Sequence, residues 1–145
     1  MATNWGLTVD CTSASTMAAF WKEALGYTDA PPPEGFASWR DWLTACEAPE
    51  DEWDDGATIV DPDGVRPGIG FLKVPEGKTV KNRLHLDVRV AGGRHLPPEV
   101  RTPRIRTTVD RLVAAGATVL AEHTLGGHLD HVVLADPEGN EFCVV

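Results

Sequence analysis

Cysteine is scarce in this chain. Cys11, Cys46 and Cys143 are three in 145 residues, too few and too scattered for a disulfide framework, so a reducing cytoplasm is the expected setting. Basic side chains are also in short supply: 13 Lys and Arg stand against 22 Asp and Glu, a formal charge of −9. Nucleic acid and anionic membrane both need a basic face, so neither is expected as a partner. No apolar run approaches the ~20 residues of a membrane span. The opening stretch MATNWGLTV lacks the basic start and apolar core of a signal peptide, and none is expected. Gly92 and Gly93 have no helix following at the spacing of a phosphate cradle, and no serine nucleophile elbow is found.

What remains is an ordinary soluble composition, 42% hydrophobic and 24% charged, with enough chain for one domain over residues 1–145 and a real core. Much of the acid excess lies between Asp41 and Asp63, where no Lys or Arg offsets it. Such a run reads as a solvated loop.

One turn occurs twice. Asp61-Pro62-Asp63-Gly64 and Asp136-Pro137-Glu138-Gly139 both suit a type I turn, with Asp at the first position, Pro fixing φ at the second and Gly relaxing the exit. Their surroundings repeat too. NWGLTVDC alternates, with Trp5, Leu7, Val9 and Cys11 on the apolar face. Ser13 then suits an N-cap, Met17, Phe20, Trp21, Ala24 and Leu25 form a helical stripe, and Gly26 is the stop. FASWRDWL, GATIV and GIGFLKV follow as three strands. In the second half, RLHLDVRV alternates with Leu84, Leu86, Val88 and Val90 on one face. Thr102 and Pro103 suit an N-cap and first helical position, with Ile105, Val109, Leu112 and Val113 as the stripe and Gly116 as the stop. TVLAEHT, HVVLA and EFCVV complete the order.

The expectation is an α+β fold of two βαβββ modules, at about 4–76 and 82–145, with helices at about 13–25 and 103–115. Pairing the modules gives a curved mixed sheet around a cleft. Strand parity predicts that Thr8, Asp10, His85 and Asp87 face that cleft, opposite the helix-covered side.

The paired modules, together with AAFWKEALGY, KTVKNRLHLDVRV, LVAAGATVL and LADPEGNEFCVV, resemble the vicinal oxygen chelate superfamily, specifically its glyoxalase-like domains of the actinobacterial type. That superfamily includes glyoxalase I, extradiol dioxygenases, fosfomycin-resistance transferases, epimerases and bleomycin-binding proteins. The resemblance implies a homodimer, to which five Trp residues in so small a chain also point. It further implies a divalent metal held by one residue each from the first, fourth, fifth and eighth strands. The fifth-strand position falls on His85, which matches. The first falls on Gly6 or Thr8, the fourth near Phe71 or Leu72, and the eighth on Cys143, two residues after Glu141.

Because His85 alone keeps a ligand type of the family, no metal or other cofactor is expected. The primary expectation is a cleft that binds a small organic molecule, its ligand contacts drawn from Thr8, Asp10, Arg83, His85, Trp39, Trp42 and Cys143. The alternative is a lyase or isomerase of glyoxalase type that uses Zn, Ni, Mn or Fe, or a metal-free acid/base enzyme. His85, Asp87 and Glu141 are then the catalytic candidates, since side chains at i and i+2 on a strand lie ~6.6 Å apart along it. Trp39, Trp42 and Trp53 either pack in the core or a dimer contact or wall an aromatic pocket. Lys78, Lys81 and Arg83 are either surface charge or an anchor for an anionic group. His123, His128 and His131 surround Gly126 and Gly127 and read as a solvated hairpin.

Overall fold

Both recurrent turns are built on a buried aspartate. In this computed structural model, which describes residues 1–145, Gly64 N donates to Asp61 O and Gly139 N to Asp136 O, each at 2.9 Å. Asp61 and Asp136 are only 7% and 3% exposed. Their carboxylates are occupied within the turn. Asp61 accepts from the N–H groups of Asp63 (3.1 Å) and Arg66 (2.9 Å). Asp136 accepts from those of Glu138 and Asn140, both at 3.0 Å. A buried carboxylate is tolerated when N–H donors replace the water it loses. Gly64 and Gly139 adopt φ of 66° and 87°, the left-handed region that glycine enters without steric cost.

The chain forms two units, one of Met1–Lys22 with Gly26–Gly77, the other of Glu23–Leu25 with Lys78–Val145. In the first, strands β1 (Leu7–Cys11), β2 (Thr28–Asp29), β3 (Gly56–Val60) and β4 (Ile69–Lys73) form a sheet in the order β1-β4-β3-β2. β1 runs parallel to β4 with Thr8 opposite Gly70, and the remaining pairs are antiparallel. Helix α1 (Ala14–Leu25) begins at Ser13, whose hydroxyl accepts from Thr16 N, and ends at Gly26 with φ of 71°. Its stripe of Met17, Phe20, Trp21 and Ala24 is buried, as are Ile59, Ile69 and Phe71 on the strands.

The second unit repeats the plan. Strands β5 (Asp87–Val88), β6 (Thr118–Leu125), β7 (His128–Ala135) and β8 (Glu141–Val144) follow the order β5-β8-β7-β6, with β5 parallel to β8. Helix α3 (Pro98–Ala114) lies on β6, β7 and β8. Ile105, Val109 and Leu112 are buried on the helix, with Val132, Leu134, Phe142 and Val144 buried on the strands. The two βαβββ modules expected from the sequence are therefore present. No helix is long and apolar enough to cross a membrane.

Four local expectations need correction. FASWRDWL is not a strand: Trp39–Ala45 is helix α2, and the second strand is the two-residue β2. Ser38 caps α2, accepting from Asp41 N at 3.1 Å, while the Asp41 carboxylate accepts from the Ser38 hydroxyl at 2.8 Å. That Ser-x-x-Asp reciprocity is a variant of the capping box, and it outweighs the strand preference of the tryptophans. Helix α3 starts at Pro98 rather than Pro103. Proline at the first helical position costs nothing, because its missing N–H would be unpaired there, whereas Pro103 forfeits one bond inside the helix. Regular pairing in β5 begins only at Asp87, so Leu84 is 83% exposed. Trp5, ahead of β1, and Val113 on α3 are also exposed, at 66% and 45%.

The turn geometry predicts that Asp136→Ala, which strands the N–H groups of Glu138 and Asn140, lowers the unfolding free energy by about 1–3 kcal/mol, measured by urea denaturation. Acid should act on the same device. The backbone N–H of Asp63 heads the groups that hold the Asp61 carboxyl below its usual range, and the Arg94 guanidinium heads those that do so for Asp130. A depressed carboxyl contributes stability in full above its unfolded value and loses it as pH falls toward the folded one. Stability is therefore expected to be flat down to about pH 4 and to decline below it, as a pH series of thermal melts would record.

Candidate functional site

The segment before β5 is tied to β8 by one side chain. Asn82 accepts from Glu141 N at 2.9 Å and donates to Glu141 O at 3.1 Å, so its amide stands in for the strand partner that β8 lacks there. Lys81 pairs with the Glu141 carboxylate, and Cys143 N donates to Leu86 O at 3.0 Å. This anchoring carries His85 alongside β8 although it precedes the regular strand.

The register then sets Asp87 opposite Cys143, with His85 two residues before Asp87 on the same side. The ligating atoms of His85, Asp87 and Cys143 all lie within 4.8 Å of one another. His85 Nε2 is 3.5 Å from Asp87 Oδ1, and both side chains are about half exposed. Burial, and then the Asp87 charge, push the Cys143 thiol above its ordinary value. Glu141 stands apart from this group. It is held by Lys81, whose ammonium keeps its carboxyl below the usual range. Arg83 is exposed on the approach to His85.

A second place collects the other candidates. In the first unit, a cavity of about 600 Å³ is bordered by Thr8 on β1, Thr58 on β3, Gly70 on β4 and the indoles of Trp39, Trp42 and Trp53. Two indoles are fixed by their N–H groups: Trp39 Nε1 donates to Ala30 O at 2.9 Å, and Trp53 Nε1 to Ala48 O at 3.1 Å. Trp42 meets Trp39 edge to face at 5.6 Å, and Arg40 lies over the Trp53 ring at 5.1 Å. The wall contains no Lys or Arg. Its acids are Glu52 and Asp29, the latter paired with Lys22 at 2.8 Å. Asp10 lies on β1 opposite Leu72 and does not border the cavity.

The histidine hairpin holds a stacked pair. The rings of His123 and His131 are 4.6 Å apart at 12°, across adjacent strands, and His128 is exposed.

A family model for the glyoxalase-like domain matches residues 6–145. The chain belongs to the glyoxalase-like domain family. Solved structures share its fold. A glyoxalase/bleomycin resistance protein/dioxygenase family enzyme from Burkholderia phytofirmans is 19% identical, with a TM-score of 0.56 over 95% of this chain and 93% of its own. The fosfomycin resistance protein FosX from Mesorhizobium loti is 7% identical, with a TM-score of 0.61 over 99% and 90%. A mutant FosX from Listeria monocytogenes, solved with Mn(II) and 1S,2S-dihydroxypropylphosphonic acid, is 11% identical, with a TM-score of 0.60 over 99% and 90%. At these identities the likeness is one of fold. No curated protein sequence matches the chain.

The superfamily implies a divalent metal, and the donors of this glyoxalase-like protein can be tested for it. A tetrahedral ion with bonds of about 2.0–2.3 Å draws on imidazole, thiolate and carboxylate alike. His85, Asp87 and Cys143 supply one of each within a span that small side-chain rotations close. A thiolate favours zinc over the harder Mn(II). The group therefore fits a zinc-class ion with three protein ligands. Of the first- and fourth-strand positions named by the resemblance, Thr8, Phe71 and Leu72 border the indole cavity and Gly6 does not.

One residue escaped the sequence reading. Asn82 lies within the KNRLHLD stretch, but its clamp on Glu141 depends on a contact with a distant strand. Trp53, read beside Trp39 and Trp42 as either core packing or pocket wall, borders the cavity with them.

Cys143 alkylation provides a check on the group. The pH midpoint for its reaction with iodoacetamide, followed by peptide mass spectrometry, should lie above the ordinary thiol value of about 8.5. Asp87→Asn should lower that midpoint only in part, because burial is the larger cause. A midpoint at or below the ordinary value would contradict the arrangement.

Proposed function

We propose that this glyoxalase-like protein binds a small planar organic molecule in the indole-walled cavity of its first unit. One observation carries this reading: helix α2 buries none of its residues, yet its two tryptophans border a cavity of about 600 Å³. A seven-residue helix is too short to be stable by itself, and indoles left half-exposed forgo much of their burial energy. A planar ligand between them would recover it. The volume falls within the range of roughly 300–1,000 Å³ usual for small-molecule sites. Hydrogen bonds of Trp39 and Trp53 to backbone carbonyls hold their rings in place before a ligand arrives, which lowers the ordering cost of binding. A wall with Glu52 and no basic side chain favours a neutral or cationic ligand over an anion.

A second reading is supported by the convergence of His85, Asp87 and Cys143, and by the Mn(II) bound to the Listeria FosX. It makes the protein a metal-dependent lyase or isomerase of glyoxalase type. His85, Asp87 and Cys143 would hold the ion, which would supply Lewis acidity toward a substrate oxygen. Without a metal, the same pair can act alone. His85 would take a proton at Nδ1, and the Asp87 carboxylate, 3.5 Å from Nε2, would stabilise the imidazolium.

Two measurements separate the readings. A thermal-shift and tryptophan-fluorescence screen of neutral and cationic planar heteroaromatics should yield a binder. Trp42→Ala should weaken that binder about tenfold, the loss of one aromatic contact. Elemental analysis of protein purified without a histidine tag should show no stoichiometric transition metal. His85→Ala should leave stability nearly unchanged, as expected for a half-exposed residue. One equivalent of zinc or nickel that is lost on His85→Ala would establish the enzyme reading. A binder indifferent to Trp42→Ala would overturn the cavity assignment.

A further inference from the structure

The second unit holds a cavity of about 680 Å³ that no reading above uses. Arg89, Arg94, Arg101, Asp87, Asp130 and the Gly92–Gly93 turn border it. Three guanidinium groups around one cavity are unexpected in a chain of charge −9. Asp130, 5% exposed, is saturated. It accepts from Arg94 Nε and Nη2, both at 2.8 Å, and from Arg101 Nη2 at 3.3 Å, and its Oδ2 is 2.9 Å from His131 Nδ1. Asp87 lies beside His85. Two acidic side chains, Asp87 and Asp130, face three arginines on this wall, which Val145 also borders. Arg89, on the same cavity, has no carboxylate partner.

A second observation points the same way. Arg101 is 8% exposed, and its Nε is buried without a hydrogen-bond partner. A buried guanidinium N–H left unpaired is costly. Beside it, Gly92 and Gly93 hold φ of 87° and 111°. Both values lie in the left-handed region that glycine enters without steric cost, so glycine suits this turn where the backbone borders the cavity.

We propose that this cavity binds a small oxyanion, a carboxylate or phosphate-type head group, between Arg89 and the Arg94–Arg101 pair. Asp130 is the positioning residue. By engaging one edge of each guanidinium it fixes Arg94 and Arg101, so their remaining N–H groups need no reordering when an anion arrives. Asp87 belongs both to this wall and to the His85–Cys143 group, which places the bound anion beside those side chains. The proposal is independent of the indole cavity, which lies in the first unit and has no Lys or Arg in its wall.

The test is an NMR titration of ¹⁵N-labelled protein in low-salt buffer, with inorganic phosphate in one arm and acetate in the other. Saturable shifts are expected at the Gly92 and Gly93 amides and the Arg101 Nε–H. The arm that saturates at lower concentration identifies the head group. Arg89→Gln, which leaves the Asp130 contacts intact, should weaken the dissociation constant about tenfold, as expected for one charge-assisted contact. Arg106→Gln, remote in role because Arg106 pairs with Glu122, should leave it unchanged. Shifts that never saturate, or equal losses in the two variants, would show general charge screening and overturn the proposal. The dispersion of each variant's spectrum reports whether it is folded.

Discussion

The parallel pairing of each module's first strand with its last is the constraint on which the rest of this structure depends. β1 lies against β4 and β5 against β8. Parallel neighbours cannot be joined by a hairpin, so a crossover must intervene, and here it includes a helix and two further strands. In the second unit that helix covers the face carrying Val132, Leu134, Phe142 and Val144 and leaves the other face open. Residues alternate across a strand, so the open face receives whatever the core does not. His85, Asp87 and Cys143 meet there because β5 and β8 are neighbours in space and not in sequence. The buried aspartates of the two turns serve the same end. Each closes the antiparallel hairpin that delivers the last strand to the first.

The modules were legible because their signals are local and redundant. Ser13 and Gly26 bracket α1, GATIV coincides with β3, and the Asp-Pro-x-Gly turns fold as their residue types require. Where local signals conflict, the sequence misleads. Trp39 and Trp42 suggested a strand, yet Ser38 and Asp41 cap a helix whose side chains find no core. Pro103 suggested a helix start, yet Pro97 and Pro98 provided an earlier one. In both cases two plausible local rules competed, and tertiary context chose between them.

The site was legible by face and illegible by partner. Parity places His85 and Asp87 on the open side, but only the β5–β8 register sets Asp87 against Cys143. Lys81 was read within a basic cluster and Glu141 as a catalytic candidate. The structure pairs the two with each other, which occupies that carboxylate. Thr8, Trp39 and Trp42 were expected near a ligand, and they border a cavity. Trp53, left open between core packing and pocket wall, joins them there, its indole held by a hydrogen bond to Ala48 O.

Folding and function draw on different residues here, and that separation is itself informative. The centre of the core is apolar, with Ile59, Ile105, Leu112, Val132 and Leu134 each fully buried, and the buried carboxylates of Asp61, Asp130 and Asp136 are each held by hydrogen bonds. Three features give the core little in return. Helix α2 buries nothing, His85 and Asp87 remain half exposed beside the partly buried Cys143 thiol, and Arg101 keeps an unpaired buried N–H. Local structure that contributes little to stability, or costs some, is where sequences depart from folding rules to meet a ligand. Each of the three borders a cavity or a ligating group, and none has a better explanation in packing. The two cavities also differ in sign, one walled by indoles and Glu52, the other by arginines. A single wall could not favour both a planar cation and an oxyanion, so the two proposed ligands would call for separate sites.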